Sequence, residues 1–178
     1  VERIARVWMS LTGIFNSHLI MAAIVGRHGT EAQKQEFLPR FATGELRGGL
    51  ALTEPDCGTD LQAIRMTAKR DGDHYVINGT KTWISNGGIA GHYVTFARTG
   101  EAPGTRGLSA FIVPADAPGL SIAARIDTIA PHPLATLRFE NCRVPAGNLL
   151  GTEGQGLKIA LSGLEGGRIG IASQSVGM

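Results

Sequence analysis

Between Arg47 and Gly151 the chain holds only short alternating or apolar runs separated by turn residues, and this spacing constrains the fold more than any other feature. The runs are Gly49–Thr53, Arg65–Arg70, His74–Ile77, Thr80–Ile84, Tyr93–Arg98, Leu108–Pro114, Leu120–Ala123 and Thr136–Phe139. Gaps this short leave no room for the crossover helices that parallel neighbours require. The block 48–150 therefore reads as an antiparallel barrel or sandwich. Asn78-Gly79 is the dipeptide of a two-residue type I′ hairpin, and it predicts a turn joining Tyr75–Ile77 to Thr80–Ile84.

The flanks follow a different period. From Ile4, the residues Val7, Trp8, Leu11, Phe15, Leu19, Ala22 and Val25 recur at three- and four-residue steps with few charges between them, which predicts one largely buried helix. Gly29 is placed to end it in the left-handed conformation. Thr30 and Gln33 then form the T-x-x-Q capping box of a second helix reaching about Ala42, closed by Gly44. Beyond Gly151 the residues Leu157, Leu161, Leu164, Arg168, Ile171 and Ser175 mark one face of a third helix. The fold class is α+β with three parts: helical residues 1–47, β residues 48–150 and a helical start at 151–178.

Composition narrows the function. The formal charge is +2 without a Lys/Arg cluster, which gives no nucleic-acid footprint. The longest apolar run, Leu19–Val25, is short of the ~20 residues of a membrane span, so the reading is a soluble, cytoplasmic chain. Cys57 and Cys142 lie far apart with no CxxC, and the histidines have no metal-ligand spacing, so no metal is expected. The chain opens Val1-Glu2-Arg3 and stops at Met178 inside a helix, as a piece of a longer protein would.

No nucleotide-loop, nucleophile-elbow or zinc-protease motif is present. Three segments remain. Leu50 to Asp60 runs a strand into a Pro/Asp/Gly loop carrying the hydroxyls of Thr53 and Thr59; it suits either a plain turn or a cradle for a polar ligand. In Lys81 to Gly88, strand alternation puts Trp83 and Ser85 on one side and Ile84 on the other, which fits a core Trp or a flat heteroaromatic ligand. The third helix holds Gly163, Gly166, Gly167 and Gly170, each costing about 0.8–1 kcal/mol against Ala. Either a neighbouring helix or a ligand beside Arg168 accounts for them.

In combination these residues resemble the acyl-CoA dehydrogenase family over essentially the whole chain. Gly29-Thr30-Glu31-Ala32-Gln33-Lys34 with Leu38-Pro39 and Gly44-Glu45 is similar to its "HG-x-x-x-QK-x-x-x-LP…GE" stretch. Ala51-Leu52-Thr53-Glu54-Pro55-Asp56-Cys57-Gly58-Thr59-Asp60 is close to "TEP-x-A-GSD", with Cys57 where Ala is usual. Ile77-Asn78-Gly79-Thr80-Lys81-Thr82-Trp83-Ile84-Ser85-Asn86 resembles "ING-x-K-x-WI[TS]N". Val144-Pro145, Leu149-Leu150-Gly151 and Leu164-Glu165-Gly166-Gly167-Arg168 complete the series, while Asp127–Pro131 departs from the family's usual "K-x-G-x-[RK]-x-S".

The resemblance implies FAD, held by Leu50, Leu52, Thr53, Gly58, Thr59, Trp83, Ile84 and Ser85. It implies acyl-CoA contacts from Thr59, Glu165, Gly166, Gly167 and Arg168, with the small glycines similar to those of short- or branched-chain members. The implied reaction is α,β-dehydrogenation, in which a Glu takes the α-proton and the β-hydride goes to flavin. Electrons then pass to an electron-transferring flavoprotein, and the full protein is expected to be a homotetramer. In some branches the Glu precedes the Arg of the third helix, where this chain has Gly167, so no catalytic residue is assigned and the piece alone is expected to be inactive. An acyl-CoA oxidase or flavin monooxygenase on the same fold, and a non-enzymatic ligand-binding β module, are the alternatives.

Overall fold

The computed structural model describes residues 1–100, 102 and 104–178. Helices α1 (Glu2–Ala5), α2 (Met9–His28) and α3 (Glu31–Ala42) lead into eight strands, and helix α4 (Gly156–Gly177) follows them. The strands are β1 (Gly48–Ala51), β2 (Thr67–Asp71), β3 (His74–Ser85), β4 (His92–Arg98), β5 (Leu108–Pro114), β6 (Leu120–Arg125), β7 (Leu134–Pro145) and β8 (Leu149–Leu150). They form one sheet in the order β6-β7-β3-β2-β4-β5-β8, with β1 beside β4.

Most pairs are antiparallel, as the spacing predicts, but two are not. β1 runs parallel to β4 (Gly48↔His92 to Ala51↔Thr95), and β2 touches β4 in parallel at Thr67↔Arg98. The end strands β6 and β8 do not pair, so the expected barrel is not closed. Between the parallel partners β2 and β4 the return is made by strand β3, antiparallel to β2, and not by a helix.

Asn78-Gly79 is not a hairpin turn. It lies inside the 12-residue strand β3, opposite a bulge where β7 carries an extra residue between Ile77↔Cys142 and Gly79↔Phe139. Asn141, at φ 50°, occupies the bulge; Asn78 Oδ1 accepts from its backbone N–H at 2.8 Å. A partner 63 positions away therefore takes the polar side chain that a turn would have used locally. The actual β2–β3 turn is Gly72-Asp73, with Gly72 at φ 61° as a type II′ turn requires.

The first helix divides into two. α1 ends at Ala5, and Trp8 is extended at φ −155° before α2 starts. Val7 and Trp8 are exposed rather than buried. The inner face of α2 is Ser10, Thr12, Ile20, Met21, Ile24 and Val25. Among the described residues, α2 is also the one helix long and apolar enough to cross a membrane by length and composition, although no uninterrupted apolar run suggests it. Gly29 ends α2 in extended rather than left-handed backbone, at φ −69°, ψ 150°. The α3 capping box forms as predicted, with both reciprocal bonds between Thr30 and Gln33, and Gly44 takes φ 76°.

α4 buries a different face from the expected one. Gly156, Ile159, Ala160, Gly163 and Gly167 turn inward, whereas Leu161 and Ile171 are exposed. A Cβ at Gly163 would lie 2.6 Å from Ile24 Cδ1, and one at Gly167 would lie 2.8 Å from Ile20 Cδ1. Close approach of α2 therefore accounts for these two glycines. Gly166 meets nothing within 4 Å. Gly166→Ala is expected to raise stability by about 0.5–1 kcal/mol through helix propensity alone; thermal unfolding that shows no gain would contradict this.

Candidate functional site

Two segments identified in the sequence meet in space. Leu50 lies on β1 and Leu52 is buried just beyond it. The chain then folds into a four-residue turn in which Glu54 N–H donates to the Cys57 carbonyl at 2.9 Å and Cys57 N–H donates back at 3.2 Å. Pro55 occupies the second position, where its fixed φ is favourable. The Thr82 N–H of β3 donates to the Thr53 carbonyl at 2.9 Å, joining the loop to the strand. Gly58 and Thr59 are exposed further along the loop, and Asp60 Oδ1 accepts from Gln62 N–H at 3.0 Å.

A second β3–β7 bulge lies between Lys81↔Leu137 and Ile84↔Ala135, and here the extra residue is on β3. Trp83 takes φ 58° in it, a left-handed conformation that costs a bulky side chain about 1–2 kcal/mol. The bulge turns the indole out to 59% exposure while Lys81 and Ile84 both stay buried. Trp83 is thus not a core Trp. Ser85 is half-buried on the strand end, with its Oγ 3.5 Å from His132 Nε2.

Asn86 follows at φ 63° and is fully buried. Its Nδ2 donates to the carbonyls of Ile14 on α2 at 2.8 Å and Gly48 on β1 at 2.9 Å. That side chain fixes the strand end against α2. His132 also lies against α2, since its ring atoms would be 3.6–3.9 Å from a Cβ at Gly13.

One turn further along α2, Asn16 and Ile20 form one wall of a groove of about 300 Å³, with Leu164, Gly167, Arg168 and Ile171 of α4 forming the other. The site residues expected on α4 therefore divide. Gly167 and Arg168 line the groove, whereas Glu165 and Gly166 are exposed and not among its lining residues. Thr53, Trp83 and Ser85 share one neighbourhood through the Thr53–Thr82 bond and the strand itself.

Four residues that build this site carry no role in the sequence reading: Glu54, Lys81, Asn86 and His132. Glu54, Lys81 and Asn86 left a signal only as members of the quoted family motifs, and His132 left none. Both cysteines are free and buried. Burial pushes the Cys142 thiol up to about 11, and burial with the Glu54 charge raises that of Cys57, so neither is poised as a nucleophile.

The same architecture occurs in solved structures. Butyryl-CoA dehydrogenase from Megasphaera elsdenii superposes with a TM-score of 0.96 at 37% identity, over 99% of this chain and 47% of that one. A chain from the structure described as the electron transferring flavoprotein of Acidaminococcus fermentans gives a TM-score of 0.96 at 41% identity, over 99% and 47%. The fold is that of the acyl-CoA dehydrogenases.

Sequence comparison carries this to the family level. Residues 1–45 match the family model "Acyl-CoA dehydrogenase, N-terminal domain" and residues 49–142 match "Acyl-CoA dehydrogenase, middle domain". The chain belongs to the acyl-CoA dehydrogenase family. Acryloyl-CoA reductase (NADH) from Anaerotignum propionicum is 44% identical over all of this chain and 46% of its own length. The chain spans about half the length of the relatives it matches.

Proposed function

We propose that the intact protein is an FAD-dependent acyl-CoA dehydrogenase that introduces a double bond between Cα and Cβ of an acyl-CoA thioester and passes the electrons to an electron-transferring flavoprotein. The division at about residues 47 and 151 and assembly as a homotetramer belong to the same reading. The observation that carries it is Trp83, a bulky residue kept at φ 58° with its indole exposed. Strain of this kind persists where the surroundings over-determine it, and it collects at ligand sites.

The residues present fit a flavin. An exposed indole offers a face for a planar ring system, and the hydroxyls of Thr53, Thr59 and Ser85 offer donors to its polar edges. Leu50 and Leu52 back the loop, and Gly58 and Ile84 complete the proposed contact set. When bound, FAD supplies the hydride acceptor.

On the acyl side, Gly167 and Arg168 with Ile20 and Leu164 give an apolar wall and one cation, which suits a short or branched acyl group. Thr59, Glu165 and Gly166 lie on exposed backbone where a CoA moiety could pass. Position 167, where some family branches are expected to carry the base, is a glycine here, and a Cβ there would lie 2.8 Å from Ile20 Cδ1. No residue of this chain is assigned as the proton-abstracting base.

Purified intact protein should be yellow and should bleach on anaerobic addition of a short-chain acyl-CoA. A colourless preparation that takes up no added FAD sinks the proposal. Rapid reoxidation of the bleached protein by O₂ would mark an oxidase instead. Trp83→Gly separates fold from site: glycine accepts φ 58° without strain, so stability should stay within about 1 kcal/mol of the parent. FAD affinity, followed by flavin fluorescence, should fall at least ~10-fold, the loss of a stacking contact worth about 1.4 kcal/mol or more.

A further inference from the structure

Lys81 and Glu54 form an ion pair at 2.8 Å with side-chain exposures of 0% and 8%. Such a pair is a poor device for stability, since burying two charges offsets most of their attraction, and apolar residues of the same volume often do as well. Burial pulls the Lys81 ammonium below its ordinary range, and the Glu54 carboxylate acts against that shift. The other bonds of the pair show what its position achieves.

Lys81 Nζ also donates to the Leu52 carbonyl at 2.9 Å. Its bonds to Leu52 and Glu54 bracket Thr53, whose own carbonyl takes the Thr82 N–H. Two successive β3 residues thus grip three successive loop residues immediately before the Trp83 bulge. The Glu54 carboxylate accepts in turn from Arg65 N–H at 2.8 Å and Met66 N–H at 3.1 Å, where the loop returns to β2. One side chain therefore ties both ends of the loop that carries Gly58 and Thr59.

We propose that the Lys81–Glu54 pair is a positioning device for the flavin face, holding the Thr53 loop and the strained Trp83 strand in mutual register. Neither residue touches the ligand in this arrangement. Each acts through the backbone of its neighbours: Lys81 through Leu52 and Thr82, and Glu54 through Arg65 and Met66. The inference rests on the flavin reading for its purpose, but the clamp itself is a property of this chain.

The test uses the intact protein with the double substitution Lys81→Met/Glu54→Gln, which removes both charges and leaves no buried charge unpaired. Three readouts are compared with the parent: thermal midpoint, hydrogen exchange of the peptide spanning 80–86, and FAD affinity with the visible spectrum of the bound form. The expected result is a folded protein whose midpoint falls by less than that of Lys81→Met alone, with the Leu52 carbonyl and one of the Arg65 and Met66 N–H groups left unpaired, exchange in 80–86 at least ~10-fold faster, and FAD bound at least ~10-fold more weakly with a shifted spectrum. Parental exchange, affinity and spectrum in a stable double variant would overturn the proposal.

If the parent itself binds no FAD, the flavin reading fails, and exchange in 80–86 with Trp83 fluorescence still decides whether the clamp exists. If the double variant does not fold, Lys81→Arg/Glu54→Asp keeps both charges but displaces them. The same readouts then apply, and unchanged exchange and affinity again count against the clamp.

Discussion

Lys81→Met alone is expected to lower the stability of the protein by about 3–5 kcal/mol, the usual cost of leaving one member of a buried ion pair without its partner. Met nearly matches the aliphatic stem of Lys, so the packing around a fully buried side chain is kept and the substitution isolates the charge. Glu54 stays buried, with its two backbone donors from Arg65 and Met66 but no countercharge. The Leu52 carbonyl loses its bond to Lys81 at the same time, which adds about 1–3 kcal/mol if water cannot reach it. Urea unfolding followed by circular dichroism measures the change; a loss below about 1 kcal/mol would mean that the carboxylate finds solvent and that the pair is not closed off. The double variant with Glu54→Gln should recover part of the deficit, because the unpaired charge is removed while the Leu52 carbonyl and one of the Arg65 and Met66 N–H groups stay without a partner.

The sequence made some of this legible and hid the rest for reasons that specific residues show. The α3 capping box is readable because both of its bonds close within four residues, and β5 runs over the same residues, Leu108–Pro114, as its apolar run. Asn78-Gly79 misleads because turn preference is local whereas Asn141, which takes the Asn78 side chain, comes from another strand. On α4 beyond Ile159 the rule that large apolar residues face inward fails, since α2 approaches closely enough that Gly163 and Gly167 form the contact while Leu161 and Ile171 are left exposed.

The candidate site divides in the same way. Thr53, Trp83 and Ser85 enter the candidate site through family resemblance, and simple alternation does not hold at Trp83, since Lys81 and Ile84 on either side of it are both buried. The bulge that exposes the indole left no mark in the sequence, because it is set by the offset against β7. Lys81 and Glu54 look like surface charges in any composition argument, and their partnership across 27 positions exists only in the folded chain.

Asn86→Asp should have an effect of similar size, and its direction can be argued atom by atom. Asn86 Nδ2 donates to two buried carbonyls, Ile14 on α2 and Gly48 on β1, while its Oδ1 has no partner. Asp has the same shape and tolerates the same left-handed backbone at φ 63°, so neither packing nor strain changes. The donor becomes an oxygen facing two other oxygens, and a negative charge enters a fully buried position with no donor nearby. Two lost bonds and an uncompensated charge together give an expected loss of about 3–5 kcal/mol or more. Asn86→Gly removes the same bonds without adding charge and should cost less, about 2–4 kcal/mol. The two variants should also differ in pH dependence. The new carboxyl would have a folded-state pKa above its unfolded value of about 3.9, so its penalty should grow as pH rises through the folded pKa and shrink on acidification. The glycine variant should show no such slope relative to the parent. If Asn86→Gly proves the more damaging of the two at neutral pH, the added charge is not what makes Asp costly; if Asn86→Gly costs less than about 1 kcal/mol, the bonds to Ile14 and Gly48 are not what holds α2 against the end of β3.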